Sequence, residues 1–179
     1  MKKLIVPIKN KKVLADFRKG DMVSISGVLY TARDKAHQRF LTAIKEKKSL
    51  PIDLNNQFLY YTGPTPAPPG RISGAIGPTT SSRMDAFTPR LLALGLAGTI
   101  GKGKRGKEVI KAIKKSKAVY LVTIGGAAAY LSRKIKSLSK VAYKDLGPEA
   151  VFKVEVKDFP AIVAIDSKGN SIYSDTLTL

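Results

Sequence analysis

Gly77-Pro78-Thr79-Thr80-Ser81-Ser82-Arg83-Met84-Asp85 places four consecutive hydroxyls behind a Gly-Pro turn and ends in an arginine. A strand ending near Ile76 that ran through this turn into a helix would present unpaired backbone N–H groups and the positive end of a dipole, a natural seat for an anion. Arg83, four residues after Thr79, would add a bidentate carboxylate clamp at the same end. Four hydroxyls exceed what one cap needs. The same residues also read as a run of caps beside a surface arginine.

A second cluster, Gly98-Thr99-Ile100-Gly101-Lys102-Gly103-Lys104-Arg105-Gly106, tempts towards nucleotides. Gly101, Gly103 and Gly106 fit G-x-G-x-x-G, but the next expected strand lacks the acidic residue that would hold a ribose. The P-loop pattern fails at Arg105, where a Ser or Thr must bind magnesium. What remains is Lys102, flanked by glycines at a strand end beside a helix start, suited to gripping an anion or equally to forming a solvated turn. Arg33-Asp34-x-x-His37 puts an arginine and a histidine on one helix face, with Asp34 able to pair across a turn. A lone histidine near a helix start is also a common structural residue. Gly125-Gly126-Ala127-Ala128-Ala129 allows close approach of a ligand, a partner or a packed helix.

These residues need a scaffold. Met22 to Tyr30 alternates apolar and polar residues and reads as a strand, and Thr31 reads as the cap of a helix beginning near Ala32. Gln57 to Tyr61 is a short strand. Residues 63–70, Gly-Pro-Thr-Pro-Ala-Pro-Pro-Gly, form a rigid surface loop. Helical stretches at Ser82 to Leu94 and Gly106 to Lys115 alternate with strands at Leu96 to Ile100 and Ala118 to Ile124, which implies a parallel element. Strands then follow at Lys140 to Tyr143, Val151 to Val156, Ala161 to Ile165 and Ser171 to Tyr173, with Ser167 to Asn170 as a hairpin turn. The expectation is one mixed α/β domain over residues 1–179 with more than one sheet layer, and residues 1–20 as an N-terminal arm.

Composition narrows the chemistry. The chain of 179 residues has 44% hydrophobic residues, enough for a core, and no run near the roughly 18 to 20 apolar residues of a membrane span. Its basic start is cut short by Pro7 and Lys9 to Lys12, unlike a signal peptide, so it reads as cytoplasmic. With no cysteine and one histidine, it holds no disulfide, thiolate nucleophile or cysteine-bound zinc or iron–sulfur cluster of its own. The formal charge of +19, from 32 basic and 13 acidic residues, favours anionic partners. A nucleic acid is the usual first guess. However, aromatics are only 7% and do not interleave with the basic clusters as a stacking platform would. Anion grips and hydroxyls without an electrophile are the pattern of a half-site.

Several motifs in one order then carry a resemblance: Thr31 to His37, Gly77 to Asp85, Ile100 to Gly103, Ile124 to Ala128, Leu146 to Ala150, Phe159 to Ala161 and Asp166 to Asn170. From about Leu4 to Tyr173 the chain resembles the C-terminal domain of class I fumarases and the β subunit of tartrate dehydratases. The resemblance implies a swivelling β/β/α domain and reversible addition of water to a C4 dicarboxylate. In that family a partner domain or subunit carries a cysteine-bound iron–sulfur cluster whose open iron acts as Lewis acid. This implies a cluster-bearing α subunit as partner and no cofactor in this chain. By motif position, Arg33, Arg83 and Lys102 would bind substrate carboxylates and Thr79 would be the base in this half. His37, Thr80 and Gly126 would be secondary, with His37 orienting. The stretches Gly126 to Ala129 and Glu149 to Lys153 look more like the fumarase side than the tartrate side.

Overall fold

The structure is a computed structural model that describes residues 1–173. Its strands are β1 (Lys2–Val6), β2 (Met22–Thr31), β3 (Phe58–Tyr60), β4 (Gly98–Gly101), β5 (Val119–Val122), β6 (Ile135–Ala142) and β7 (Val151–Ile165), and its α-helices are α1 (Asp34–Lys45), α2 (Thr88–Ala93), α3 (Lys107–Ser116) and α4 (Ala128–Ser132). They form one sheet in the order β1-β2-β3-β4-β5-β7-β6, in which β2 also pairs with β7. The sheet therefore folds back on itself. Neighbours from β1 to β5 run parallel, while β7 runs antiparallel to β2, β5 and β6. Among the described residues no helix is long and apolar enough to cross a membrane.

Alternation along the parallel strands builds two cores. Phe58 and Tyr60 of β3 and Val119 and Leu121 of β5 face Val23, Ile25 and Leu29 of β2 and Val154, Phe159 and Val163 of β7. Leu59, Tyr61 and Tyr120 point the other way, against Phe40 of α1, Leu91 and Leu92 of α2, and Val109 and Ile113 of α3. Successive side chains of a strand leave opposite faces, so strands buried on both sides read as continuous apolar runs. An antiparallel layer, a parallel layer and a helical layer result. This is the β/β/α stacking that the resemblance implies.

Several local expectations are corrected. Residues 1–20 are more than an arm, because Leu4 and Val6 are buried and β1 pairs with β2 in register Lys2 to Val23 through Val6 to Gly27. Thr31 does not cap α1. It continues β2, its Oγ1 accepts the Phe152 amide at 3.2 Å, and Arg33 is the residue at the cap. No strand ends near Ile76. Residues 62–79 run as coil, fastened by Tyr60 Oη to the Ile76 carbonyl (2.6 Å) and Thr62 Oγ1 to the Gly77 carbonyl (2.7 Å). The helix expected over Ser82 to Leu94 splits into a 3-10 turn, Ser81–Met84, and the short α2. The two strands expected at 151–156 and 161–165 are one, β7, and the strand expected at Ser171 to Tyr173 is a single bridge between Ile165 and Ser171. The Ser167 to Asn170 turn is present, closed by the Asp166 amide on the Asn170 carbonyl (3.0 Å).

Candidate active site

The carboxyl ends of parallel strands are where open α/β sheets bind ligands. Here four loops leave that edge. The end of β2 delivers Arg33 and the end of β4 delivers Lys102. The end of β3 holds Thr79, whose amide donates to the Tyr61 carbonyl at 2.6 Å. The end of β5 delivers Gly125 and Gly126. Direct contacts join the loops. Thr80 and Lys102 form a parallel bridge, and a side chain at Gly63 would touch Arg33 Nη1 at 3.1 Å. A side chain at Gly77 would touch Ala128 at 3.2 Å, and one at Gly125 would lie 3.8 Å from Lys102 Cδ. Motifs up to 93 residues apart thus share one rim (Arg33 to Gly126).

Arg33 and Arg83 are linked through Asp34. The Asp34 carboxylate accepts Arg83 Nε at 3.0 Å and lies 3.0 Å from Arg83 Nη2, while Arg33 Nε stands 3.8 Å away. Arg33 Nη2 is 3.8 Å from Glu149, whose other oxygen accepts the Lys35 amide at 3.0 Å. Nε of Arg83 thus makes the hydrogen bond and Nη2 an ion pair, while Nη1 makes no hydrogen bond among the described residues. Arg33 Nε is buried and makes no hydrogen bond among the described residues. The sequence reading paired Asp34 within its own helix. The structure pairs it with Arg83, 49 residues on.

The anion seat expected at a helix start is also corrected. Thr79 precedes only the four-residue 3-10 turn, for which Thr80 is a flanking residue without a side-chain cap. Of the four hydroxyls, Thr80 and Ser82 are exposed and Ser81 turns fully inward. Thr79 is half-buried, and its hydroxyl makes no hydrogen bond among the described residues. Lys102 is exposed, and its ammonium has no ion-pair partner among the described residues. The α3 start beside it offers less than expected, because the amide of its cap residue Gly106 already donates to Asp85 Oδ2 at 2.6 Å. Gly126 has φ +82°, with nothing near its Cα face, so it serves the turn.

His37 is fully buried against Tyr61, Phe87 and Phe40, with ring centroids at 5.3, 5.7 and 6.0 Å. Its Nδ1 lies 2.8 Å from the Arg33 carbonyl, which can only accept, so Nδ1 carries the proton. Burial lowers its pKa from 6.5 to about 4. It is neutral at pH 7 and holds the backbone of Arg33. Between pH 6.5 and about 4 the unfolded chain takes up a proton that the folded chain refuses. Unfolding free energy should therefore fall as pH drops through that window, by up to roughly 3 kcal/mol, and be fully present above it. Urea titrations at pH 7 and pH 4.5 check this. His37→Phe should have the shallower pH slope, and equal slopes in parent and variant would refute the assignment.

Sequence reasoning kept the partner of Asp34 within its own helix, gave Glu149 no role and missed the buried Asp85–Arg105 pair (Nε to Oδ1, 2.6 Å). Glu149 had a signal, since it lies in a motif already singled out. Arg105 had none beyond its failure to fit a P-loop. Among the described residues no group of three His, Cys, Asp or Glu side chains could hold a metal ion.

Comparison with known proteins gives the family. The family described as "Fumarase C-terminus" matches residues 2–176. Fumarate hydratase 2 of Leishmania major is 40% identical over 171 residues, covering 94% of this chain. The aerobic class I fumarate hydratase of Escherichia coli K12 is 39% identical over 162 residues, covering 89% of this chain. The chain spans only 30% of the length of each of these two. A protein of Methanocaldococcus jannaschii named "Putative L(+)-tartrate dehydratase subunit beta" is 40% identical over 171 residues, which cover 92% of this chain and 88% of that protein. With nearly its whole length matched and its candidate site residues on one rim, the chain belongs to the fumarase C-terminus family.

Proposed function

We propose that this chain is the β subunit of a two-subunit hydro-lyase that reversibly hydrates fumarate to malate in the cytoplasm, as one domain over residues 1–179. The observation that carries the reading is the convergence of Arg33, Thr79, Arg83 and Lys102 on the carboxyl edge of β2, β3 and β4, with the Thr79 hydroxyl and Lys102 ammonium unengaged among the described residues. Two guanidinium groups and an ammonium suit the two carboxylates of a C4 substrate. The formal charge of +19 favours a dianion and an acidic partner face.

In the dehydration direction Thr79 Oγ1 takes the proton from the carbon next to the hydroxyl-bearing one. In hydration it returns that proton. Arg33, Arg83 and Lys102 hold the carboxylates, and the nearby cations favour the ionised form of the Thr79 hydroxyl. An iron–sulfur cluster, ligated by cysteines of the partner because this chain has none, would supply the Lewis acid for the departing hydroxyl. The relative of subunit length supports a separate α chain. That relative's name also supports the second reading, an L-tartrate dehydratase β subunit.

The test is to mix the purified chain anaerobically with a cluster-bearing α subunit and assay fumarate and L-tartrate. Fumarate hydratase activity should arise only in the mixture. Activity of the single chain would overturn the half-site reading, and turnover of tartrate alone would favour the second substrate. Binding to duplex DNA that weakens steeply with salt, without hydratase activity, would support the nucleic-acid alternative instead.

A further inference from the structure

The inward-facing Ser81 stands inside the Gly77 to Asp85 motif with no role assigned to it. It lies between Thr79 and Arg83 and is completely buried. Its amide donates to the Lys102 carbonyl at 2.9 Å, and its Oγ accepts the Lys102 amide at 3.1 Å. One residue thus clasps the backbone of Lys102 in both directions. There is no room for a side chain at Gly101, where a Cβ would lie 2.0 Å from Ser81 Oγ, so the glycine is what lets the serine in.

The clasp continues inward. Tyr120 Oη lies 2.9 Å from Ser81 Oγ and 2.9 Å from the Gly103 carbonyl. A phenol has one proton and a carbonyl can only accept, so Tyr120 donates to Gly103 and Ser81 donates to Tyr120. Burial pushes the Tyr120 phenol well above its usual pKa, so the proton stays in place. The ring of bonds is closed: Lys102 N–H to Ser81, Ser81 O–H to Tyr120, Tyr120 O–H to the residue after Lys102. Beneath it the Arg105 guanidinium is 4.9 Å from the Tyr120 ring centroid and is fixed by Asp85, Thr88 and Thr99.

We infer that Ser81, backed by Tyr120, is a positioning residue that sets the distance between Lys102 and the Thr79–Arg83 segment. Each end of this clasp carries a group proposed to touch substrate, so the inference rests on the proposed function. A connected hydroxyl network holds one arrangement of two loops that are also joined by the Thr80–Lys102 bridge and, further along, by Asp85 to Arg105 and Gly106. A displacement of about 1 Å between such groups costs on the order of 100-fold in rate.

The experiment uses Ser81→Ala, Tyr120→Phe and the double variant, in the full chain and in its complex with the α subunit. Amide exchange at Lys102, read by NMR on the full chain, should be about tenfold faster in Ser81→Ala. In the complex, kcat/KM for fumarate should fall about 10- to 100-fold, mainly in kcat, while the melting temperature stays within a few degrees. The double variant should be no worse than Ser81→Ala, because both act through one chain of bonds. Unchanged Lys102 exchange, or kcat/KM within about twofold of the parent in a folded variant, would overturn the inference. Tyr120→Phe keeps the ring and carries the same test if Ser81→Ala does not fold. A parent complex with no hydratase activity defeats the functional reading instead, and Lys102 exchange then decides the clasp separately.

Discussion

Thr79→Ala should lower kcat for fumarate hydration by about 10²- to 10⁴-fold, the range lost with a general acid or base, while KM moves by no more than a few-fold. The reasoning starts at the backbone. The Thr79 amide is tied to the Tyr61 carbonyl, so its Cα cannot drift from the end of β3 when the side chain is cut back. The grips Arg33 and Lys102 lie on other segments, and Arg83, four residues on, is held by Asp34, so all three should survive the change. Ground-state binding should therefore persist while the proton has nowhere to go. A threonine hydroxyl is a poor base at neutral pH and depends on cations nearby and on exclusion of water by the partner. Thr79→Ser keeps the hydroxyl and should retain most of the rate. Steady-state kinetics of the reconstituted complex check both, and an unchanged kcat for Thr79→Ala would remove this residue as the base.

Arg105→Ala should cost about 3–5 kcal/mol of stability, the usual loss when one member of a buried ion pair is removed. The Arg105 side chain is fully buried and Asp85 only 23% exposed. Its Nε donates to Asp85 (2.6 Å), Nη2 to Thr88 (2.7 Å) and Nη1 to Thr99 (3.2 Å), and its face stacks between Tyr61 and Tyr120. Alanine would strand the carboxylate and leave a cavity between the rings. Lysine would keep the charge but not the planar fork, so Arg105→Lys should recover only part of the loss. Arg105→Met with Asp85→Asn, which removes both charges, should be milder than Arg105→Ala alone. Urea denaturation measures all three, and a loss below about 1 kcal/mol for Arg105→Ala would show that the pair holds little.

The residues proposed for the site could be nominated because motifs survive as strings: Arg33, Thr79, Arg83 and Lys102 each stand in a short, recognisable run. The same strings misled about local structure. The Ser-rich run looked like a helix start because Ser and Thr are good caps. In the fold Ser81 is spent on Lys102 and Tyr120, and the α-helix waits until Thr88, next to Pro89. Thr31 has the same ambiguity. A threonine before an apolar helical pattern reads as a cap, but pairing of Thr31 with Phe152 extends the strand instead.

By itself the sequence determined the α/β class, since apolar residues three or four apart, or alternating, reveal which segments are helix and which are strand. It also determined that these 179 residues supply no cysteine ligand to a cluster, because composition does not depend on folding. Only the tertiary structure decided how the half-site is built. Closure of β2 on β7 joins residues 121 apart, Asp34 reaches Arg83 across 49, and Tyr120 reaches Ser81 across 39. Side-chain periodicity reports on neighbours a few residues away. Which carboxylate meets which arginine, and whether the Gly77–Arg83 hydroxyls face solvent or the core, depends on which strands lie side by side.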